Sequence, residues 1–329
     1  MRQLNNQNTD PHYNMALEEH VLRVLSQEDS YFMLWQNSPA VIVGRNQNAL
    51  EEINAQFVRD NNIAVVRRLT GGGAVYHDAG NLNFTFVVRQ SKAGFHFARF
   101  AQPVIRALGA LGVRAEHTGR NDITIEGRKF SGNAEYRLGD KLLHHGTLLF
   151  NSDLSMLSQA LMVKESKIAG KGVQSVRSRV TNICEYLSPT VSIQDFKDAL
   201  TVAAKEEFGS LWQSEELKNE DHLAVKALQL AKYATWEWNF GRAPAFNLQR
   251  VERFAFGEVD LRLNVKDGVI RECRIYGDFF THADIGELAS ALIGLCYREE
   301  DLAQALSGLD LGHYFPGMNE KELLALLTG

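Results

Sequence analysis

Between Tyr31 and Phe150 the chain breaks into short β-type runs whose connections are mostly too short to hold a crossover helix. Parallel neighbours need roughly a dozen connecting residues, so most of these strands must pair antiparallel, and the chain is directed to an α+β architecture. The runs are Tyr31 to Trp35, Ala40 to Val43, Ile63 to Val66, Ala74 to Tyr76 and the alternating Leu82 to Val88, separated by Gly, Asn and Pro. A helix at about 97–111 follows, then strands near 113–117, 121–125, 128–136 and 141–150, with Glu126-Gly127 and Gly139-Asp140 as hairpin turns.

Before these runs, Asp10-Pro11 is a cap and first-turn signal for a helix with Leu17, Val21, Val24 and Leu25 on one stripe. From Leu154 to about Ala234 the period is helical, best over Ile193 to Phe208 and His222 to Tyr233. The stretch Trp236 to Asn247 breaks that period and marks a junction between a domain at 1–240 and one at 241–329. The second has strand runs at Val251 to Phe256, Val259 to Val265 and Val269 to Tyr276, with a turn at Lys266-Asp267-Gly268, then helices near 285–295, 301–306 and 319–327. The expected fold is a large α+β domain of mostly antiparallel mixed sheets flanked by helices, plus a small α+β C-terminal domain.

Charge and cysteine usage narrow the function. The 35 basic and 40 acidic residues give −5, which argues against general adhesion to nucleic acid or anionic lipid. No apolar run approaches the roughly 20 residues of a membrane span, and the N-terminal residues read as neither signal nor transit peptide. Cys184, Cys273 and Cys296 are widely spaced without a CxxC, so neither a disulfide framework nor a zinc site is expected, and the address is cytoplasmic. Locally, Lys164, Lys167, Lys171, Arg177 and Arg179 against Glu165 make 164–179 a basic segment of +4.

Three segments carry candidate chemistry. In Arg67-Arg68-Leu69-Thr70-Gly71-Gly72-Gly73-Ala74-Val75-Tyr76-His77-Asp78, three glycines weaken a strand and need a reason; backbone N–H groups there can approach an anion or flat ring, with the arginines supplying fork-shaped donors. It matches neither a Walker loop nor a dinucleotide fingerprint. In Arg128 to Ala134, Lys129, Ser131 and Asn133 alternate with Phe130 and Gly132, so three polar side chains are expected on one strand face, with Lys129 a point charge and Asp122 placed to hold magnesium. His144 and His145 must face opposite sides of a strand, one in and one out, and so cannot chelate one metal together. Cys184 could open acyl-enzyme chemistry, but Glu185 beside it raises a thiol pKa, which favours a structural thiol.

Taken together, five segments in order resemble the lipoate-protein ligases of the biotin/lipoate ligase superfamily. They are Arg67-Arg68-x-x-Gly71-Gly72-Gly73-Ala74-Val75-Tyr76-His77-Asp78-x-Gly80-Asn81, Gly119-Arg120-Asn121-Asp122, Arg128-Lys129-x-Ser131-Gly132, His144-His145-Gly146-Thr147-Leu148, and Lys171-Gly172 through Asn182. The resemblance implies that lipoate and MgATP give lipoyl-adenylate and pyrophosphate, and that the lipoyl group then passes to a lysine of an acceptor. Acceptors in the family are lipoyl domains of 2-oxoacid dehydrogenases and the glycine-cleavage H protein. Carried over by motif, Arg67, Gly72, Gly73, Ala74, Val75, Tyr76, Asn121, Arg177 and Ser178 would contact ATP or lipoate, and Lys129 would bridge the lipoyl carbonyl and the phosphate. Segment 164–179 would close over the adenylate. Phe84, Phe86 and Val75 are expected as pocket walls, and Leu69-Thr70 receives no role. Octanoyltransferases of the same superfamily use a cysteine acyl-enzyme without ATP, which keeps Cys184 as a second reading. A third is a non-catalytic lipoate or nucleotide binding module, against which Lys129 argues, since binding alone needs no cation at a carboxyl-phosphate junction.

Overall fold

The computed structural model describes residues 1–89, 96–119, 121–162, 180–209, 211–240, 248–266 and 268–328. Its centre is an eight-stranded sheet. From one edge it runs β11 (Gln213–Glu216), β1 (Arg2–Asn5), β2 (Tyr31–Trp35), β6 (Asn81–Arg89), β10 (Lys141–Leu149), β9 (Arg128–Leu138), β8 (Asp122–Ile125) and β7 (Glu116–Thr118). A second sheet has β3 (Ala40–Val43) between β4 (Ala64–Arg67) and β5 (Val75–His77).

Parallel pairs occur where the connection is long enough to turn the chain around. Strand β1 reaches β2 through the helix α1 (Pro11–Arg23), and β3 reaches β4 through residues 44–63; both pairs are parallel. The hairpin β9–β10 and the pairs β10–β6, β2–β6, β8–β9 and β7–β8 are antiparallel. The turn at Glu126-Gly127 has positive φ at both residues, 49° and 76°, as a two-residue hairpin requires. Helix α1 begins as its sequence dictates, with Asp10 accepting from the His12 N–H and Pro11 in the first turn.

Two strands lie where none is expected. Strand β11 falls inside the stretch read as helical, and β1 in the N-terminal residues; both extend the main sheet in parallel. Arg2-Gln-Leu-Asn and Gln213-Ser-Glu-Glu hold one apolar residue between them, so alternation had nothing to register.

The main sheet is covered on both faces. Leu82, Phe84, Phe86 and Leu148 point to a core under α2 (Phe97–Ala110) and α3 (Ile193–Phe208), and Met33, Trp35, Val87 and Leu143 to a core under α1. A fully buried Phe side chain contributes about 1.5–3 kcal/mol over an exposed one, so this pair of cores fixes the register of every central strand. Residues 248–328 form an antiparallel sheet, β12 (Leu248–Phe254), β13 (Gly257–Lys266) and β14 (Val269–Gly277), packed through Leu261, Leu263 and Cys273 on helices that supply Leu288, Leu292 and Leu323. This unit docks on the glycine segment: Gly277 N donates to Asn46 O (2.8 Å), Gly72 N to Phe279 O (3.3 Å), and Arg45 pairs with Asp284 (2.8 Å).

Candidate active site

A pocket opens where the small sheet meets the main one. Main-sheet strands contribute Trp35, Asn83, Lys129, Gly132, Ala134, His145 and Thr147, the glycine segment contributes Gly72 to Val75 and His77, and α1 contributes Met15. Its lining is mostly apolar with a few convergent polar groups, the composition of a small-molecule site.

Lys129 reaches this pocket through a bulge. The pairing of β8 with β9 slips between Ile123 and Thr124, so Ile123 faces Ser131 and Thr124 faces Lys129. The extra residue breaks the expected alternation. Lys129 crosses to the pocket side, where its Nζ lies 3.2 Å from the point a Cβ on Gly132 would occupy. Ser131 and Asn133 are buried, 1% and 2% exposed, and bond to each other, with Asn133 also joined to His144. The expected shared face of Lys129, Ser131 and Asn133 is therefore not formed. Gly132 leaves the space that the lysine stem fills.

Asp122 accepts an ion pair from Lys129 at 2.7 Å, and both side chains are more than a third exposed. Its carboxylate is thus engaged, and among the described residues no group of three or more His, Cys, Asp or Glu could hold a metal. Asn121 lines the pocket and donates to Asn133 O. Arg177 and Ser178 lie outside the described residues; the chain re-enters at Val180, which bridges Lys129, and the Thr181 N–H donates to Lys129 O (2.9 Å).

The two arginines divide their work differently from expectation. Arg67 does not line this pocket. Its guanidinium donates to the carbonyls of Gly44, Arg45, Gln47, Trp238 and Asn239, tying the loop after β3 to the turn at Trp236–Asn239. Arg68 does line it, and donates to Ile42 O, Gly71 O, Gly73 O and Thr70 Oγ1. Burial lowers both pKa values to about 10, still far above neutrality. The fork of Arg68 closes the glycine segment on itself.

Each glycine now has its reason. A Cβ on Gly71 would fall 2.4 Å from Phe279 O, and Gly72 has φ +89° beside the Phe280 ring, so both permit the C-terminal unit to approach. A Cβ on Gly73 would meet nothing within 4 Å, so it is there that the backbone stands open. Ala74 and Val75 continue the wall, whereas Tyr76 turns to the opposite side of β5 and is 3% exposed in another cluster. Burial and Asp78 raise its phenol to about 12.

Thr70, which the sequence left without a role, joins a buried chain. Glu18 accepts from His145 Nδ1 (3.0 Å), His145 Nε2 accepts from Thr70 Oγ1 (2.8 Å), and Thr70 Oγ1 accepts from Arg68 Nε (2.8 Å); the tautomer is assigned from these partners. Trp35 Nε1 donates to Thr85 Oγ1, which donates to Glu18. Arg68 and His145 stand out in the sequence, but Thr70 and Glu18 were missed, because each is separately ordinary and only the fold brings the four together. Both histidines are inside, His144 at 0% and His145 at 9% exposed, since both sheet faces are covered. His144 stacks on Phe100, 4.5 Å between rings, and burial lowers its pKa.

Two further expectations need correction. Phe84 and Phe86 belong to the core on the far face of β6, and Asn83 takes the pocket side in their place. Cys184 does not line the pocket; its Sγ sits 3.5 Å from Asn151 Oδ1, and burial with Glu185 raises its pKa. A thiol so placed is a poor nucleophile for a ligand held at Lys129.

Comparison with known proteins follows the same lines. Residues 10–205 match the lipoyl protein ligase A/B catalytic domain and residues 243–327 the bacterial lipoate protein ligase C-terminus. The chain is 42% identical to lipoate-protein ligase LplJ of Bacillus subtilis, over 98% of this chain and 99% of that protein. It is 45% identical to lipoate-protein ligase 1 of Staphylococcus aureus, over 98% of each. The fold matches that of Plasmodium falciparum LipL1 in complex with lipoate, with TM-score 0.82 and 24% identity over 100% of this chain and 99% of that one. A lipoate-protein ligase A bound with ATP aligns with TM-score 0.66 and 28% identity over 73% and 98%. A bipartite ligase with its E2 lipoyl domain from Thermoplasma acidophilum aligns with TM-score 0.67 and 29% identity over 75% and 98%. Matched by the catalytic-domain model over 10–205 and along nearly its whole length by curated relatives, the chain is an enzyme of the lipoate-protein ligase family.

Proposed function

We propose that the enzyme works in two steps, of which the first consumes ATP. A lipoate carboxylate oxygen attacks the α-phosphorus of ATP and pyrophosphate leaves; an acceptor lysine nitrogen then attacks the lipoyl carbonyl carbon, AMP leaves, and the amine proton goes to solvent. The first step brings two anions together, so a fixed cation at the junction lowers its barrier most. Lys129 supports this reading most directly, as an ammonium carried over Gly132 into a mostly apolar pocket.

On this reading the apolar stretch between Met15, Trp35, Ile42 and Val75 takes the acyl chain, and the open backbone at Gly73 and Ala74 takes the acyl-phosphate with Asn121. Arg68 holds that backbone still, and Arg67 acts from behind it. Arg177 and Ser178 keep their assignment from the motif alone. Magnesium enters as part of the MgATP substrate, and no step is routed through a protein-bound ion. Residues 1–240 serve as the catalytic domain and 241–329 as the accessory domain. Acceptors are lipoyl domains of 2-oxoacid dehydrogenases and the glycine-cleavage H protein, a proposal in keeping with the Thermoplasma ligase solved with its E2 lipoyl domain. Among the described residues no helix is long and apolar enough to cross a membrane, in keeping with a cytoplasmic site of action.

The test is ATP-dependent pyrophosphate release with lipoate, octanoate and biotin in turn, then transfer to a purified lipoyl domain followed by mass spectrometry. Release with lipoate and a lipoylated lysine is expected. Release with none of the acids, alongside acyl transfer from a carrier protein that is lost on Cys184→Ala, would replace the ligase with a transferase.

A further inference from the structure

His77 is buried at 3% exposure and lines the pocket, yet its Nε2 has no hydrogen-bond partner. Its Nδ1 lies 3.0 Å from Asn37 Nδ2. That amide is oriented from behind: Asn37 Oδ1 accepts from Asn14 Nδ2 and Asn14 Oδ1 from Asn6 Nδ2, each at 2.8 Å. Asn37 therefore presents an N–H to the ring, Nδ1 must accept, and the proton of the neutral imidazole sits on Nε2. Burial, with the positive field of Arg68, lowers the ring pKa to about 3, so the neutral form persists. Three asparagines thus fix a tautomer whose Nε2–H is buried and unpartnered, on a ring that lines the pocket.

The place of this donor follows from strand pairing. His77 lies against Trp35, 6.1 Å between ring centroids. Trp35 pairs with Asn83 and Asn83 with Thr147, whose Oγ1 accepts from the Gly132 N–H beneath Lys129. From β2 to β9 is three strand spacings, about 14 Å. With a carboxylate at Lys129, an eight-carbon acid laid along that row puts its far end at Trp35 and His77.

We propose that His77 determines acyl specificity: its Nε2–H donates to a sulfur of the lipoate ring, and so favours lipoate over octanoate, whose terminal methyl offers no acceptor. The inference rests on the ligase reading above and adds the residue that tells two acids of equal chain length apart. Divalent sulfur is a weak acceptor, but the alternative is a buried N–H left unpaired, and sites built that way reject the analogue lacking the group.

Exchange of pyrophosphate into ATP, run with lipoate and octanoate on wild type, His77→Phe and His77→Gln, gives the ratio of kcat/KM for the two acids. In His77→Phe that ratio should fall about five- to tenfold, chiefly through KM for lipoate, and His77→Gln, which keeps an amide donor, should restore part of it. Equal losses on both acids overturn the proposal. Imidazole nitrogen NMR of the wild type tests it without a substitution: His77 should carry its proton on Nε2 and that signal should move with lipoate and not with octanoate. An Nδ1 proton, or the same response to both acids, overturns it. Absence of exchange with either acid in the wild type counts against the ligase reading, and the NMR comparison still decides the role of His77.

Discussion

Arg67→Met and Arg68→Met, made separately, should damage different properties. Arg67 donates to five backbone carbonyls at 2.6–3.0 Å, worth about 5 kcal/mol at about 1 kcal/mol net for each. The burial that brings its pKa to about 10 takes back on the order of 3 kcal/mol. Methionine keeps the stem packing, so the expected cost is about 2–3 kcal/mol, or roughly 5–10 °C in melting temperature for a unit of this size. Adenylation by the folded fraction should survive. Arg68→Met has a similar ledger, four acceptors at 2.6–3.0 Å against the same desolvation, but three of those acceptors, on Thr70, Gly71 and Gly73, lie in the glycine segment itself. Its loss frees backbone that, on the proposed mechanism, takes the acyl-phosphate, and misplacement by about 1 Å can cost on the order of a hundredfold in kcat/KM. Thermal unfolding and lipoate-dependent pyrophosphate exchange on the two variants decide the matter. An Arg67→Met protein with unchanged melting temperature and no exchange would show that Arg67 meets the substrate, and a folded Arg68→Met protein with wild-type exchange would refute the scaffold role.

Lys129→Met should keep the fold, because an ion pair this exposed contributes at most about 1 kcal/mol, and should lower pyrophosphate release at least about a hundredfold; a folded variant with normal release sinks its catalytic role. Cys184→Ser should leave exchange within about twofold of wild type, measured at saturating lipoate, since the thiol does not line the pocket. His77 should make the protein acid-sensitive. Its folded pKa, about 3, lies below the unfolded value near 6.5, so the unfolded state binds the extra proton between those limits and stability falls as pH drops, by up to about 1.4 kcal/mol per pH unit. Denaturant titrations from pH 7 to pH 4 should show that slope in the wild type and a shallower one in His77→Gln; identical slopes would count against the buried neutral ring.

Much of this fold is legible from spacing alone. Strands β2, β3 and β6, the hairpin β9–β10, helix α1 with its Asp10 cap and the strand-then-helix order after residue 248 all follow from alternation, period and turn residues. What alternation cannot carry is a change of phase. Lys129 reads as sharing a face with Ser131 and Asn133 until the slip opposite Ile123 and Thr124 moves it, and no local signal in Arg128-Lys-Phe-Ser-Gly announces that bulge. Nor does a single strand reveal whether its second face is covered. His144 and His145 read as one in and one out because α1 on one side and α2 with α3 on the other are brought together only by the tertiary fold. The arginine pair is hard to read for a third reason: the two residues are adjacent and of one type, and only the positions of the carbonyls around them separate the one facing the pocket from the one facing the turn at Trp236–Asn239.

The glycine segment explains why the site and the C-terminal unit belong to one design. Gly71 and Gly72 are in contact with Phe279 and Phe280, Arg68 grips the carbonyls of Gly71 and Gly73, and Gly73 opens on the pocket, all within three consecutive residues. Phe280 is itself buried at 1% exposure with Phe97 and Ala134, and Ala134 lines the same pocket from β9. The loop at 279–280 is therefore joined to the pocket by two short routes, through the backbone of Gly72 and through the packing on Ala134. Any side chain at Gly71 would block the first route by pushing against Phe279 O. Gly71 and Gly72 thus serve a mechanical requirement: the segment that lines the pocket must be thin enough for the C-terminal unit to pack directly on its back.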